Sequence, residues 1–160
     1  MTAKVQLRVA GPADEPVLVD AFLSARPELG LLPAELAGLQ LRAQRQQYAL
    51  AYPGLREQVV EVNGQPAGRC VTWAGGSELR LLDISLLPPY RGRGAGRSVL
   101  SGLIAQAAAD RVPLRLAVWP ANHDAIRLYR SLGLRAYDEQ HGYLLMQLPA
   151  LAASPAGAGR

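Results

Sequence analysis

The residues best suited to chemistry lie together at positions 79–100, LRLLDISLLPPYRGRGAGRSVL, where an apolar run meets a double proline and then a turn rich in glycine and arginine. Gly92, Gly94 and Gly96 bare backbone N–H groups while Arg91, Arg93 and Arg97 add positive charge. The turn runs straight into a helix, whose first N–H groups are unpaired and sit at the positive end of its dipole, so this corner suits a phosphorylated ligand. Asp83 is the one charged residue in the apolar run LLDISLL. It is either an ion-pair partner of Arg69, Arg80 or Arg115, or a carboxylate placed to move a proton.

These residues need elements to position them. Residues 4–9 alternate apolar with polar and predict an edge strand, and GPADEP then opens a helix with Val17, Leu18, Ala21 and Phe22 on one side. Pro33 suits the first turn of a second helix, 34 to about 49, with Leu36 and Leu39 on its apolar face. An antiparallel meander follows: 57–62, a tight turn at Asn63-Gly64, 65–73, a turn at Gly75-Gly76-Ser77, and the strand that carries Asp83. A helix over 98–110 and a strand over 113–119 make a parallel crossover. Another helix, 124–132, stops at Gly133 and leads to a terminal hairpin, 134–137 and 143–148, turning at Gln140-His141-Gly142. The order is mixed α/β and not doubly wound.

At 160 residues the chain has room for one core. We expect a single domain over 1–148 and an aperiodic, mobile tail over 149–160. Apolar residues make up 49% and charged residues 19%, a globular composition. The first residues hold no apolar run of signal-peptide length and no uncharged stretch is long enough to span a bilayer, so a cytoplasmic protein without a membrane partner is expected. Cys70, the single cysteine, has no second thiol for a disulfide or a metal. His123 and His141 read as a helix start and a hairpin tip, so no metal is expected either. The net charge of +4 would suit a polyanion, but aromatics are only 6% and the arginines are not interleaved with them. No nucleic acid partner is expected, and the basicity is read as serving a small anionic ligand.

A glycine-rich turn between strand and helix has three readings. A dinucleotide site wants Gly-x-Gly-x-x-Gly near the first strand and a carboxylate ending the next, and a nucleoside triphosphate loop wants Gly-Lys-Ser/Thr; both are absent. The third fits: residues 91–96 match Gln/Arg-x-x-Gly-x-Gly/Ala, and the chain there resembles the GNAT superfamily of N-acetyltransferases. VWPANHDAIRLYRSLGLRAY resembles the second motif of that family, with Asn122, Ala125, Leu128, Tyr129 and Gly133 on its positions. Leu134 departs from the aromatic residue usual there, and Pro89 adds a second proline before the turn.

The resemblance implies an α/β (α+β) fold, a mixed and mostly antiparallel sheet of six to seven strands flanked by about four helices, with a parallel strand pair that splays apart. It also implies acetyl-coenzyme A as co-substrate in that split, and transfer of its acetyl group to an amine in a ternary complex. The pyrophosphate would meet Arg91, Gly92, Arg93, Gly94, Ala95, Gly96, Arg97 and Ser98. The pantetheine arm would pair with the edge 84–87 and with Asn122, which could equally cap the next helix. Attack on a thioester builds an oxyanion, for which the resemblance offers the N–H of Leu86 or Leu87. An attacking amine of pKa about 10.4 must lose a proton, and Asp83 is the expected relay, directly or through water. Tyr129 would face the sulfur as a hydrogen-bond donor, the simpler role being packing against the sheet. A protein that binds acyl-coenzyme A without transfer, as a sensor or interaction module, is the alternative. The acceptor stays open between a small amine, a peptide N-terminus and a protein lysine, and assembly is not legible either, although a homodimer is the commonest oligomer.

Overall fold

The computed structural model describes residues 2–151. Seven strands form one sheet in the order β1-β2-β3-β4-β5-β7-β6. Val5–Val9 (β1), Arg56–Val62 (β2), Gln65–Ala74 (β3) and Leu79–Leu86 (β4) make the antiparallel half, and Leu114–Val118 (β5), Arg135–Gln140 (β6) and Tyr143–Leu148 (β7) the remainder. Four helices flank it: Glu15–Ser24 (α1), Ala34–Ala51 (α2), Ala95–Asp110 (α3) and His123–Ser131 (α4). The expected tail falls outside the described residues from 152 onward.

Packing divides the sheet into two faces. Val99, Leu100, Leu103 and Ala107 of α3 and Ile126 and Tyr129 of α4 join Val60, Cys70, Leu79, Leu81, Leu114, Leu116 and Met146 in one buried cluster. Each fully buried leucine or valine contributes about 1.5–3 kcal/mol, so this face dominates stability. Because neighbours alternate along a strand, Val59, Arg69 and Val71 face the other way, toward α1 and its buried Leu18, Ala21 and Phe22. α2 departs from expectation: Ala37 and Leu41 are its buried residues while Leu36 and Leu39 stay exposed. The helix is seated by Leu41 and the small Ala37, and by the polar side chains Gln44 and Arg45.

One irregularity shapes the functional half. Val71 pairs with Asp83 but Thr72 with Leu81, so Leu82 is an extra residue, a β-bulge. It reverses the alternation along β4: Leu79 and Leu81 before it, and Ile84 and Leu86 after it, pack on the α3/α4 cluster. Asp83 and Ser85 are thereby turned to the α1/α2 face. The parallel pairing of β4 with β5 also ends there, at Leu81 opposite Leu116. Beyond that point a cleft of about 1040 Å³ opens, lined by 81–85 on one side and 116–119 on the other.

Candidate active site

At the open end of the cleft the chain leaves β4, turns through Pro88–Tyr90 and enters α3. Gly92 and Gly94 have φ of 70° and 85°, in the left-handed region where other residues pay roughly 1–2 kcal/mol. Gly94 is the N-cap and no side chain caps the helix. The first internal bond runs from the Ser98 N–H to the Gly94 carbonyl (3.0 Å), so the preceding amides lack helical acceptors and present themselves to an anion. Gly96 is different: a Cβ there would stand 3.6 Å from Leu128, an ordinary contact, so nothing inside the protein demands glycine. Of the three arginines, two are engaged as ties. Arg91 donates to the Leu86 carbonyl (2.9 Å) and to the Ser24 carbonyl and hydroxyl (2.9 and 3.2 Å), and Arg97 donates to the Ser131 hydroxyl (2.8 Å). Arg93 is exposed and has no hydrogen-bond partner among the described residues.

The two candidate oxyanion donors differ. Leu87 donates its N–H to the Ala67 carbonyl at 2.8 Å and is not free. Strand alternation turns the Leu86 N–H to the opposite edge, the side from which β5 has withdrawn. Tyr129 reaches the cleft from α4, is 7% exposed, and its hydroxyl has no hydrogen-bond partner among the described residues. Burial, reinforced by the negative charge of Asp83 and by Cys70, pushes its pKa up to about 12, so it stands as a protonated donor. Asn122 lines the same cleft and caps α4, its Oδ1 accepting from the Ala125 N–H at 3.2 Å. Capping occupies that oxygen and leaves the side-chain NH₂ unassigned.

Asp83 is held by three donors. Arg69 Nη1 lies 2.9 Å and Ser85 Oγ 3.2 Å from its Oδ2, and Arg26 Nη2 lies 3.3 Å from its Oδ1. Arg69 itself is 1% exposed and also meets Glu57 (2.7 Å) and the Gln44 side-chain oxygen (2.7 Å). Arg45 extends the chain of charges, bridging Glu57 (3.0 Å) and Glu15 (2.8 Å). Burial opposes ionisation of Glu57, but Arg45 and Arg69 outweigh it and hold its carboxyl below the usual range. Among the described residues no side-chain N or O atom fully shielded from solvent lacks a partner, so this network is satisfied, while the Tyr129 hydroxyl opens onto the cleft. A carboxylate offers about four acceptor positions; three on Asp83 are filled and one remains, at Oδ1.

Three groups here escaped sequence reading. Arg26 sits 57 residues from Asp83 on an irregular connection. Tyr48 of α2 donates to the carbonyl of the bulge residue Leu82 at 2.9 Å, and burial raises its pKa. Gln44 lies on the Gln/Arg-rich side of α2, a pattern that reads as a solvent-facing stripe and gives no hint of a buried partner. Exposed Trp119 and Tyr143 stack edge to face at 5.7 Å on the rim. No group of three or more metal-ligating side chains occurs among the described residues, and no helix there is long and apolar enough to cross a membrane.

A mixed sheet split at a parallel pair, with an uncapped glycine-rich helix start at the mouth of the split, defines the acetyltransferase class of α+β folds. The model of the acetyltransferase (GNAT) family matches residues 26–134, more than half of the sequence, and the chain belongs to that family. Over 105 residues it is 33% identical to the thialysine N-epsilon-acetyltransferase of Bos taurus, covering 58% of this chain and 61% of that one. Over 78 residues it is 30% identical to a putative ribosomal protein bS18-alanine N-acetyltransferase of Bacillus subtilis, covering 48% and 52%. The chain thus spans little more than half the length of these curated relatives. Among solved structures, the PaiA N-acetyltransferase of Thermoplasma acidophilum in complex with coenzyme A superposes with a TM-score of 0.70 at 14% identity, covering 91% of this chain and 99% of that one. An acetyltransferase of Thermus thermophilus gives 0.70 at 22% identity, covering 93% and 97%. Expected and observed fold agree in strand number, helix number and the splayed parallel pair.

Proposed function

We propose that the protein transfers the acetyl group of acetyl-coenzyme A to a primary amine, by direct attack in a ternary complex. The observation that carries this is the alignment of three features along one cleft: the free amides at the start of α3, the unpaired β4 edge over 84–86, and the unpartnered Tyr129 hydroxyl. The pyrophosphate is assigned to the turn 91–98, with Arg93 the uncommitted guanidinium, and the pantetheine arm to the β4 edge beside Asn122. Relatives named for thialysine and for an alanine of ribosomal protein bS18 are both named as N-acetyltransferases, which act on amines. Only that acceptor class is carried over here.

In the reaction the amine nitrogen bonds to the thioester carbon, the C–S bond breaks, sulfur leaves with the bonding pair, and the amine gives up a proton. The Leu86 N–H is assigned to the developing oxyanion. Asp83 offers its remaining Oδ1 position to the acceptor amine or to a water that takes its proton. Tyr129 donates a hydrogen bond to the departing sulfur. With the phenol at about 12 and a thiol near 8.5, full proton transfer would be uphill by roughly 5 kcal/mol, so donation without transfer is its role. A cytoplasmic site of action goes with this co-substrate, and assembly as a homodimer is checked by light scattering. Thiol release measured with acetyl-coenzyme A and a panel of primary amines tests the proposal: amine-dependent release supports it, and binding without release supports a sensor instead.

A further inference from the structure

The α1/α2 side of the cleft has a branch. A pocket of about 310 Å³ adjoins it and shares with it Arg26, Glu28, Gln44 and Gln47. Two opposite charges therefore line one small space. Arg26 is a quarter exposed, stacked 4.0 Å over the Phe22 ring, and uses only Nη1 (to the Phe22 carbonyl, 3.1 Å) and Nη2 (to Asp83). A guanidinium has five N–H donors, so three remain. Glu28 forms neither a salt bridge nor a hydrogen bond among the described residues, even with Arg26 two positions away. Gln40, Gln44 and Gln47 follow helical spacing along α2 and bring carboxamides to the same wall.

A pocket lined by a guanidinium with three unused N–H donors, a carboxylate without a partner and several carboxamides matches a zwitterion. We propose that it is a head-group subsite for a free amino acid, with the α-carboxylate on Arg26 and the α-ammonium on Glu28. Arg26 fixes the distance to the chemistry. An amine on Asp83 Oδ1 and a carboxylate on the far edge of the Arg26 guanidinium are separated by one guanidinium width and its hydrogen bonds, roughly 6–8 Å. An α-amine lies too close to its own carboxylate for that, whereas a terminal amine on a three- or four-carbon chain spans it. The acceptor is thus a diamino acid acetylated on its terminal amine, which rests on the acetyl-transfer reading above.

Calorimetry with L-lysine, cadaverine (no carboxylate) and 6-aminohexanoate (no α-amine), with and without coenzyme A, tests the subsite. L-lysine is expected to bind about tenfold more tightly than either analogue, the size of one charge-assisted hydrogen bond. Arg26→Gln should bring L-lysine to the level of cadaverine, and Glu28→Gln, at an exposed position, to that of 6-aminohexanoate. Equal binding of the three by the unaltered protein, no binding of L-lysine, or uniform weakening of all three by Arg26→Gln overturns the subsite. Thiol release with the same compounds separates the two claims. Release that ignores the head group leaves acetyl transfer standing and removes the subsite, whereas Arg26-dependent binding without release does the reverse.

Discussion

Replacing Tyr129 by phenylalanine isolates one hydroxyl. In the folded protein that group has no partner among the described residues, so its removal leaves no donor or acceptor stranded and should change stability by less than about 0.5 kcal/mol, a shift of about 1–2 °C in Tm for a chain of this size. In the reaction the same group faces a sulfur that becomes negatively charged. A hydrogen bond to a charged partner contributes about 1.5–3 kcal/mol, so kcat should fall roughly 10- to 150-fold with KM for acetyl-coenzyme A little changed. Because the phenol titrates at about 12, it stays protonated throughout the working range, and the pH profile of the variant should keep the shape of the parent. Stopped-flow thiol detection from pH 6 to 10, with calorimetric melting of both proteins, provides the measurements. An unchanged kcat would remove Tyr129 from the chemistry, and a fall in Tm of several degrees would mean that the hydroxyl serves the fold.

Arg69→Met strips Asp83 and Glu57 of their shared buried counter-ion and should cost about 3–5 kcal/mol, seen as a Tm lowered by about 10 °C; a loss under about 2 °C would show that the ion chain is ornamental to stability. Glu57→Gln bears on pH: a carboxyl held below its unfolded value stabilises the protein above that value and loses the contribution as pH falls through the folded one, so the Tm gap to the parent should be full at neutrality and close progressively once pH drops below the ordinary glutamate value of about 4.3. A gap that persists in acid would place its origin in packing. Gly94→Ala forces alanine to φ 85° and should cost about 1–2 kcal/mol in denaturant melts while weakening acetyl-coenzyme A binding, whereas Gly96→Ala, helical and uncrowded, should be neutral to about 1 kcal/mol stabilising.

How far the sequence carried this depended on whether a feature was local. The Gly/Arg turn, the Asn63-Gly64 hairpin and the crossover around α3 are written in neighbouring residues, and they appear where expected. α3 begins at Ala95 and not at 98 because Gly94 in the left-handed region serves as the N-cap, which lets the helix start inside the glycine run. The face of Asp83 was not legible, since the bulge at Leu82 that turns it from the apolar core to the α1/α2 side leaves no residue-type signature. Sequence proximity offered Arg69, Arg80 and Arg115 as its partners; folding selected Arg69 and added Arg26, while Arg80 and Arg115 both pair with Glu78. Leu36 and Leu39 misdirected the reading of α2, whose seat is decided by the buried Ala37 and Leu41 and by the hydrogen bonds of Gln44 and Tyr48.

Co-substrate binding rests on a diphosphate held at the start of α3 and a pantetheine arm laid along the β4 edge. Isothermal titration of the purified protein with acetyl-coenzyme A and with S-acetylpantetheine, which lacks the phosphates, addresses both at once. Saturable one-to-one binding of acetyl-coenzyme A, with S-acetylpantetheine far weaker, is the predicted result; no heat with acetyl-coenzyme A, or equal affinity for the two, would contradict it.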